Sequence, residues 1–439
     1  MKKMSKKLIA ILLTLALVLS MAACGSSEAA TTTIVNDDGT ETEVEVTKIV
    51  MANHLVGETA TADYWLEIEK DFEAAYPQYD LEYYIAGYND MVSNVTTTVA
   101  GGGQIDIILG EASWVSTLAE SYIISPATDI MSDDFMGDIY DYLLPEFEYD
   151  GDVYGFPLYY TNNVFFYNTE MAVEAGLDIN DTPTTEEELW VWIEALSGLT
   201  TDSGEAVYPI GLPYAEAAAP GTFMNSMMTA FGTTVIDEDG NLSVDNDAFY
   251  EFIDFMVELD DLGYNPQATL PKDLRSMFAT GQVAMFFDQS WGISGAVAVD
   301  PDVYSYTGTF ACPAMGTSGD GATLVSAHSL MLTGLNDETA EGSATFIEWL
   351  MTTEVMGEHM ETINPALSES TSAMSDYEPL YIFEGVGDGA SNIASQATHA
   401  QLSTIQIDIC TMLNAIILNG KSIDQAVEEF TTEANILLK

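Results

Sequence analysis

Positive charge is scarce in this sequence: 10 Lys plus Arg stand against 70 Asp plus Glu in 439 residues, a formal net charge of −60. A polyanion approaching such a surface is repelled over about a Debye length, so nucleic acid and anionic lipid headgroups make poor partners. Lys2, Lys3, Lys6 and Lys7 crowd the extreme N-terminus, and Lys48, Lys70, Lys272, Arg275, Lys421 and Lys439 are scattered over the rest. No basic cluster is present to grip a phosphate or carboxylate, and a neutral or cationic ligand is expected. Cysteine is equally sparse. Cys312 and Cys410 lie far apart in apolar surroundings, where two buried free thiols are expected rather than a bridge. The four histidines, His54, His328, His359 and His399, show no His-Glu-x-x-His or similar spacing, so neither a metal site nor a cofactor is expected. Beyond the N-terminal region no apolar run reaches the roughly 18 residues of a spanning helix.

What is present is ample core material, 47% hydrophobic and 10% aromatic, in a chain long enough for two or three domains. Basic residues 2–7, the apolar stretch Leu8–Leu19 and Ser20-Met21-Ala22-Ala23-Cys24 follow one another in the order of a secretory signal, here 1–23. The closing Cys24 resembles the cysteine of a bacterial lipobox, with Met21 where Leu is usual. A diacylglycerol on its thiol would anchor the chain outside the membrane. Residues 24–43, rich in Ser, Ala, Thr and acidic residues around Asp38-Gly39, are expected to form a flexible tether.

The pattern then alternates. Val46–Ala52 reads as a strand, and Asp63–Tyr76 as a helix with Trp65, Ile68, Phe72 and Ala75 on one stripe. Leu81–Ile85 is a second strand, Asn89–Ala100 a helix closed by Gly101-Gly102-Gly103, and Ile105–Leu109 a short buried strand. Strand alternating with helix argues for α/β architecture and a largely parallel sheet, with ligand sites beyond the carboxyl ends of the strands. Further on, Tyr149–Pro157 reads as a hairpin and Val164–Tyr167 as a strand. Thr185 and Glu188 have capping-box spacing before a helix to Leu199. Phe249, Phe252, Ile253, Met256 and Val257 form one helical stripe ending near Gly263. Leu402–Leu418 and Ile423–Leu438 are the closing helices.

The succession Gly87-Tyr88-Asn89-Asp90-Met91, Gly102-Gly103-Gln104-Ile105-Asp106-Ile107-Ile108, Gly151–Pro157, Phe166-Tyr167-Asn168-Thr169-Glu170, Ala175-Gly176-Leu177-Asp178 and Pro183-Thr184-Thr185 resembles the extracellular solute-binding proteins of ATP-driven importers, maltose-binding-protein-like. Phe278–Met285 with Trp291, and Asn419-Gly420-Lys421-Ser422 with Ala426, continue it. Gln104 replaces a usual Pro and Glu186 a usual Trp. The resemblance implies a two-lobed periplasmic-binding-protein-like fold with a hinge and an interlobe cleft. The lobes would be 44–156 plus 325–362 and 157–324 plus 363–439. Three crossings are implied, near Phe156 to Tyr160, Thr323 to Ser326 and Thr362 to Pro365. It further implies a monomer that hands its solute to the permease subunits of an ATP-binding-cassette importer.

With 70 carboxylates, pairs at any spacing are expected by chance, so a polysaccharide-acting enzyme has no specific support. Ser326-Ala327-His328-Ser329 sets hydroxyls beside an imidazole, but strand neighbours face opposite sides and no Gly-x-Ser-x-Gly elbow appears. Asp237–Asn241 reads as a hairpin turn rather than a calcium loop. The aromatic content points to a sugar, whose C–H face rings cover while carboxylates and amides bind its hydroxyl rim. Strand ends and hinge crossings nominate Glu111, Trp114, Tyr159, Tyr160, Asn162, Asp288 and Trp291 as ligand-binding residues. A cationic solute such as a polyamine is the other reading compatible with so acidic a chain.

Overall fold

The computed structural model describes residues 31–35, 40–59, 61–139, 141–201, 203–237, 240–334, 336–358, 384–389, 392–394 and 399–439. Thr47–Ala52 runs parallel to Tyr79–Tyr84 on one side and to Ile107–Gly110 on the other. Ser326–Leu332 joins antiparallel to Ile107–Gly110, and Gly155–Thr161 completes the five-stranded sheet as an edge strand. Alternate side chains go to opposite faces: Ile49, Met51, Ile107 and Leu109 enter one core, Val50, Ala52 and Ile108 the other. That is the period-two signature of a sheet covered on both sides. The helices Ala62–Ala75 and Asp337–Leu350 cover the first face through Trp65, Ile68, Phe72, Phe346 and Ile347. Met91–Ala100 and Val115–Glu120 cover the second through Met91, Val95, Val115 and Leu118. Ala75, expected on the Trp65 stripe, is exposed at the last helical position.

The second lobe is organised around Asn163–Asn168, flanked antiparallel by Met285–Gln289 and Thr307–Ala311. Phe165, Tyr167 and Phe287 face a large core made with the helices Ala218–Ala230, Asp247–Asp261, Leu402–Ile417 and Ile423–Leu437. Val164, Phe166 and Phe286 face a smaller one under Pro271–Ala279 and Gly292–Val297. Cys312 and Cys410 are free and buried in the large core. Helix starts follow their caps. The Thr185 hydroxyl accepts from the Glu188 amide, while the Glu188 carboxylate reaches past it to accept from the amide and hydroxyl of Thr184. Asp237 and Asn241 close the expected hairpin turn, with the Asn241 amide donating to Asp237 Oδ1.

Two expectations shift. Where a flexible tether over 24–43 is expected, Thr31–Val35 and Glu41–Glu45 pair as an antiparallel hairpin. The first crossing comes at Asn162, later than Phe156 to Tyr160, because Gly155–Thr161 stays paired to Ser326–Met331 up to Thr161. Residues 157–161 thus belong to the first lobe. The second crossing falls at Val325, between Thr323–Leu324 and Ser326–Leu332. The third, Thr362 to Pro365, lies outside the described residues, as do Cys24 and the signal segment.

Candidate functional site

An open cleft lies where the two lobes meet the hinge strand. The first lobe contributes Glu111, Ser113, Ser116 and Glu146, the hinge contributes Val325, Ser326 and Ala327, and the second lobe contributes Thr222, His399 and Leu402. Glu111 stands directly after the strand Ile107–Gly110, at the carboxyl end of the sheet. Gly110 is required there: a Cβ would run into the ring of Trp114, which folds back over the strand end. Trp114 itself is buried against Tyr88, with ring centroids 5.3 Å apart.

Glu111 Oε1 lies 3.8 Å from Nε2 of His328. The imidazole is aimed there by a break in register. His328 pairs with Tyr159 but Ser329 pairs with Pro157, so Leu158 is skipped. A proline cannot donate to the ladder and is tolerated in an edge strand at such a bulge, which redirects the neighbouring side chain. Trp291 stacks on the other face of this neighbourhood, its ring 4.7 Å from that of His328 at 17°. His54 meets His328 edge-on at 5.5 Å and Tyr88 at 5.3 Å. Burial lowers the His54 pKa to about 4, so this imidazole is neutral near pH 7 and acts as an aromatic spacer.

Burial first, and the charge of Glu146 second, raise the Glu111 carboxyl to about 8. A carboxyl held so high is largely protonated near neutrality, and any cation beside it would draw it back to the charged form. Desolvation first, and the charge of Glu111 second, raise half-buried Tyr88 well above the usual phenol value.

The two lobes are tied together through Gln289. Its Oε1 accepts from Trp291 Nε1 at 2.8 Å, and its amide nitrogen donates to Ser326 Oγ at 2.8 Å. Asp288, one residue earlier, is fully buried and gripped bidentately by Arg275 at 2.7 and 2.9 Å. Its Oδ1 also accepts from the Gln289 amide. Asp288 therefore shapes the turn that carries Gln289 and Trp291, and does not line the cleft.

Of the residues nominated from sequence, Glu111 lines the cleft; Trp291, nominated beside it, is buried with the first lobe's core, its ring stacked on His328, and is not among the cleft-lining residues. Trp114 and Tyr160 are buried in the first lobe's core. Asn162 is buried at the crossing, its Nδ2 against Gly389 and its Oδ1 without a hydrogen-bond partner. Tyr159 is placed by its backbone opposite His328, and its side chain lies outside the described part. The nominations omitted Glu146, Ser116, Thr222, Ser326, His328 and His399. For Ser326 and His328 the sequence offers a hydroxyl and an imidazole on one short segment, a pattern that reads first as catalytic rather than as ligand-binding.

Two α/β lobes joined through a hinge, with a polar cleft between them, define the periplasmic-binding-protein class. The chain belongs to the bacterial extracellular solute-binding protein family, whose model matches residues 67–375. A putative binding protein of Brucella abortus (strain 2308) is 23% identical over 228 residues, 51% of this chain and 54% of that protein, so the match spans about half of that relative. The diacetylchitobiose binding protein DasA of Streptomyces coelicolor is 23% identical over 354 residues, 77% of this chain and 75% of that one. Among solved structures, a solute binding protein from Thermotoga lettingae bound with alpha-D-tagatose shares the fold with a TM-score of 0.77 at 18% identity, over 90% of this chain and 100% of that one. Maltose-bound MalE3 of T. maritima follows at 0.75 and 17%, over 89% and 99%. These proteins are binding proteins, and among the described residues no helix is long and apolar enough to cross a membrane.

Proposed function

We propose that this chain is an extracytoplasmic, lipid-anchored binding protein that delivers a small carbohydrate to the permease of an ATP-binding-cassette importer, acting as a monomer and without turning its solute over. The observation that carries this reading is the cleft: hydroxyls and carboxyls from both lobes and the hinge converge on one solvent-open space. A ligand touching all three has contacts in the closed form that it lacks in the open form, and that difference drives closure. Family membership and the sugars named for DasA and the solved neighbours support it. Glu111 is assigned the ligand's polar rim.

Thermal-shift screening of mono- and oligosaccharides beside polyamines tests the reading. A sugar at 100 times its dissociation constant should add about 2.7 kcal/mol to folding stability. Stabilisation by polyamines alone, fading in high salt, would replace the sugar with a cationic solute, a second reading that the two cleft carboxyls favour. Mass spectrometry of the mature N-terminus tests the anchor: a diacylglyceryl Cys24 is expected, and an unmodified thiol or a different cleavage site would remove it.

A further inference from the structure

We propose that the two lobes carry a closing latch of their own, Thr117 against Ala400 on one flank of the cleft and Trp291 seated in the first lobe on the other, which favours the closed arrangement whether or not a solute is bound. The inference goes beyond the carbohydrate reading and does not depend on which solute the cleft takes.

Thr117 lies on the helix Val115–Glu120 of the first lobe, one residue after Ser116 in the cleft wall. Ala400 belongs to the second lobe, between His399 in the opposite wall and Gln401, the cap residue of the helix Leu402–Ile417. The Thr117 hydroxyl donates to the Ala400 carbonyl at 3.3 Å. That carbonyl precedes the helix: the Ile405 amide donates to Gln401, so Ala400 takes its donor from the facing lobe. Both residues are half-buried, and neither lines the cleft. The bond therefore fastens the flank without occupying the space a solute would fill.

Trp291 follows the second lobe's strand Met285–Gln289, yet its ring is buried in the first lobe's core with Leu55 and Val56 and stacked on His328. Parting the lobes brings water onto that ring. Exposing about a third of a tryptophan's buried area shifts the closed-to-open ratio roughly tenfold. The Thr117 bond adds about fivefold, the scale of one neutral hydrogen bond. Gln289 and Ser290 bond Ser326 and Thr161 at the crossings themselves. Rotation moves atoms least there, so those bonds mark the pivot rather than the latch. Every one of these contacts joins atoms of the chain alone. A solute consequently meets a smaller closure cost, and its entry waits on the lobes parting.

The test is small-angle X-ray scattering of the full chain after the signal segment, produced without lipid and with no sugar added, wild type beside Thr117→Val and Thr117→Trp. Valine keeps the shape and removes the hydroxyl, whereas tryptophan wedges the contact. The radius of gyration should be smallest for the wild type, larger for Thr117→Val as the closed-to-open ratio falls about fivefold, and largest for Thr117→Trp. Circular dichroism checks each fold, and Ala400→Trp sets the wedge from the other lobe should Thr117→Trp not fold. A wild-type radius equal to that of the wedge variant, or a Thr117→Val radius equal to the wild type's, overturns the proposal. Because no solute enters the experiment, its failure leaves the carbohydrate reading standing. A thermal-shift screen without a sugar hit would remove that reading and leave the latch.

Discussion

Glu111→Gln should make the ligand-free protein more stable, by an amount that grows with pH. The isosteric amide keeps the side chain's volume and removes its ionisation. In the wild type the carboxyl rises from an ordinary value near 4.5 to about 8 on folding. Below the unfolded value both states hold the proton and the charge contributes nothing. Between the two values the unfolded chain has lost its proton while the folded chain retains it. Stability therefore falls as pH rises through this window, by about 1.4 kcal/mol per pH unit. By pH 8 the loss is on the order of 4 kcal/mol, trimmed because the side chain keeps 18% of its surface open to water. Urea denaturation of wild type and variant at pH 4, 6 and 8 measures it. The stability difference should widen in favour of glutamine from the lowest pH to the highest. A difference independent of pH, or a wild type that is the more stable at pH 8, would refute the assignment of a destabilised carboxyl to this position.

Arg275→Met should cost about 3 to 5 kcal/mol in chemical denaturation, since it strands the buried Asp288 charge. Adding Asp288→Asn should recover part of that loss, and strict additivity would mean the pair is not coupled. Trp291→Phe keeps a ring on His328 but removes the Nε1 hydrogen bond to Gln289, so unfolding should shift by about 1 kcal/mol. Trp291→Ala empties a buried ring packed in the first lobe's core, so urea denaturation should show a loss of about 3 to 5 kcal/mol, and an unchanged midpoint would contradict that packing. Burial pushes both Cys312 and Cys410 thiols far up, so iodoacetamide should label them only after unfolding, and rapid labelling of the native chain would contradict their placement.

The first lobe was readable because its strands and helices follow one another in sequence. Val46–Ala52 and the Trp65, Ile68, Phe72 stripe announce themselves by period alone. The first crossing was misplaced because nothing in Phe156–Thr161 marks the point where pairing with Ser326–Met331 ends; that boundary is set by a partner strand far along the chain. Glu111 was legible as a polar residue at a strand end. Ser116, five residues beyond Glu111 on the helix that follows, carries no strand-end signal of its own, and Glu146 reaches the cleft only through packing between segments distant in sequence. Asp288 shared its strand-end signal with true cleft residues. Only the fold reveals that Arg275, one helix earlier, occupies its carboxylate.

The N-terminal hairpin sets a length. Thr31 lies opposite Glu45, so the upstream end of this strand pair sits beside the body, two residues from the first sheet strand at Thr47. On the proposed anchor, the leash to the lipid is then counted from Cys24 to Thr31 rather than from Cys24 to the start of the sheet. At no more than about 3.5 Å per residue, that span reaches about 25 Å even when fully extended. A body so closely moored explores a thin layer above the membrane, and the short leash raises its effective concentration at a membrane-embedded partner.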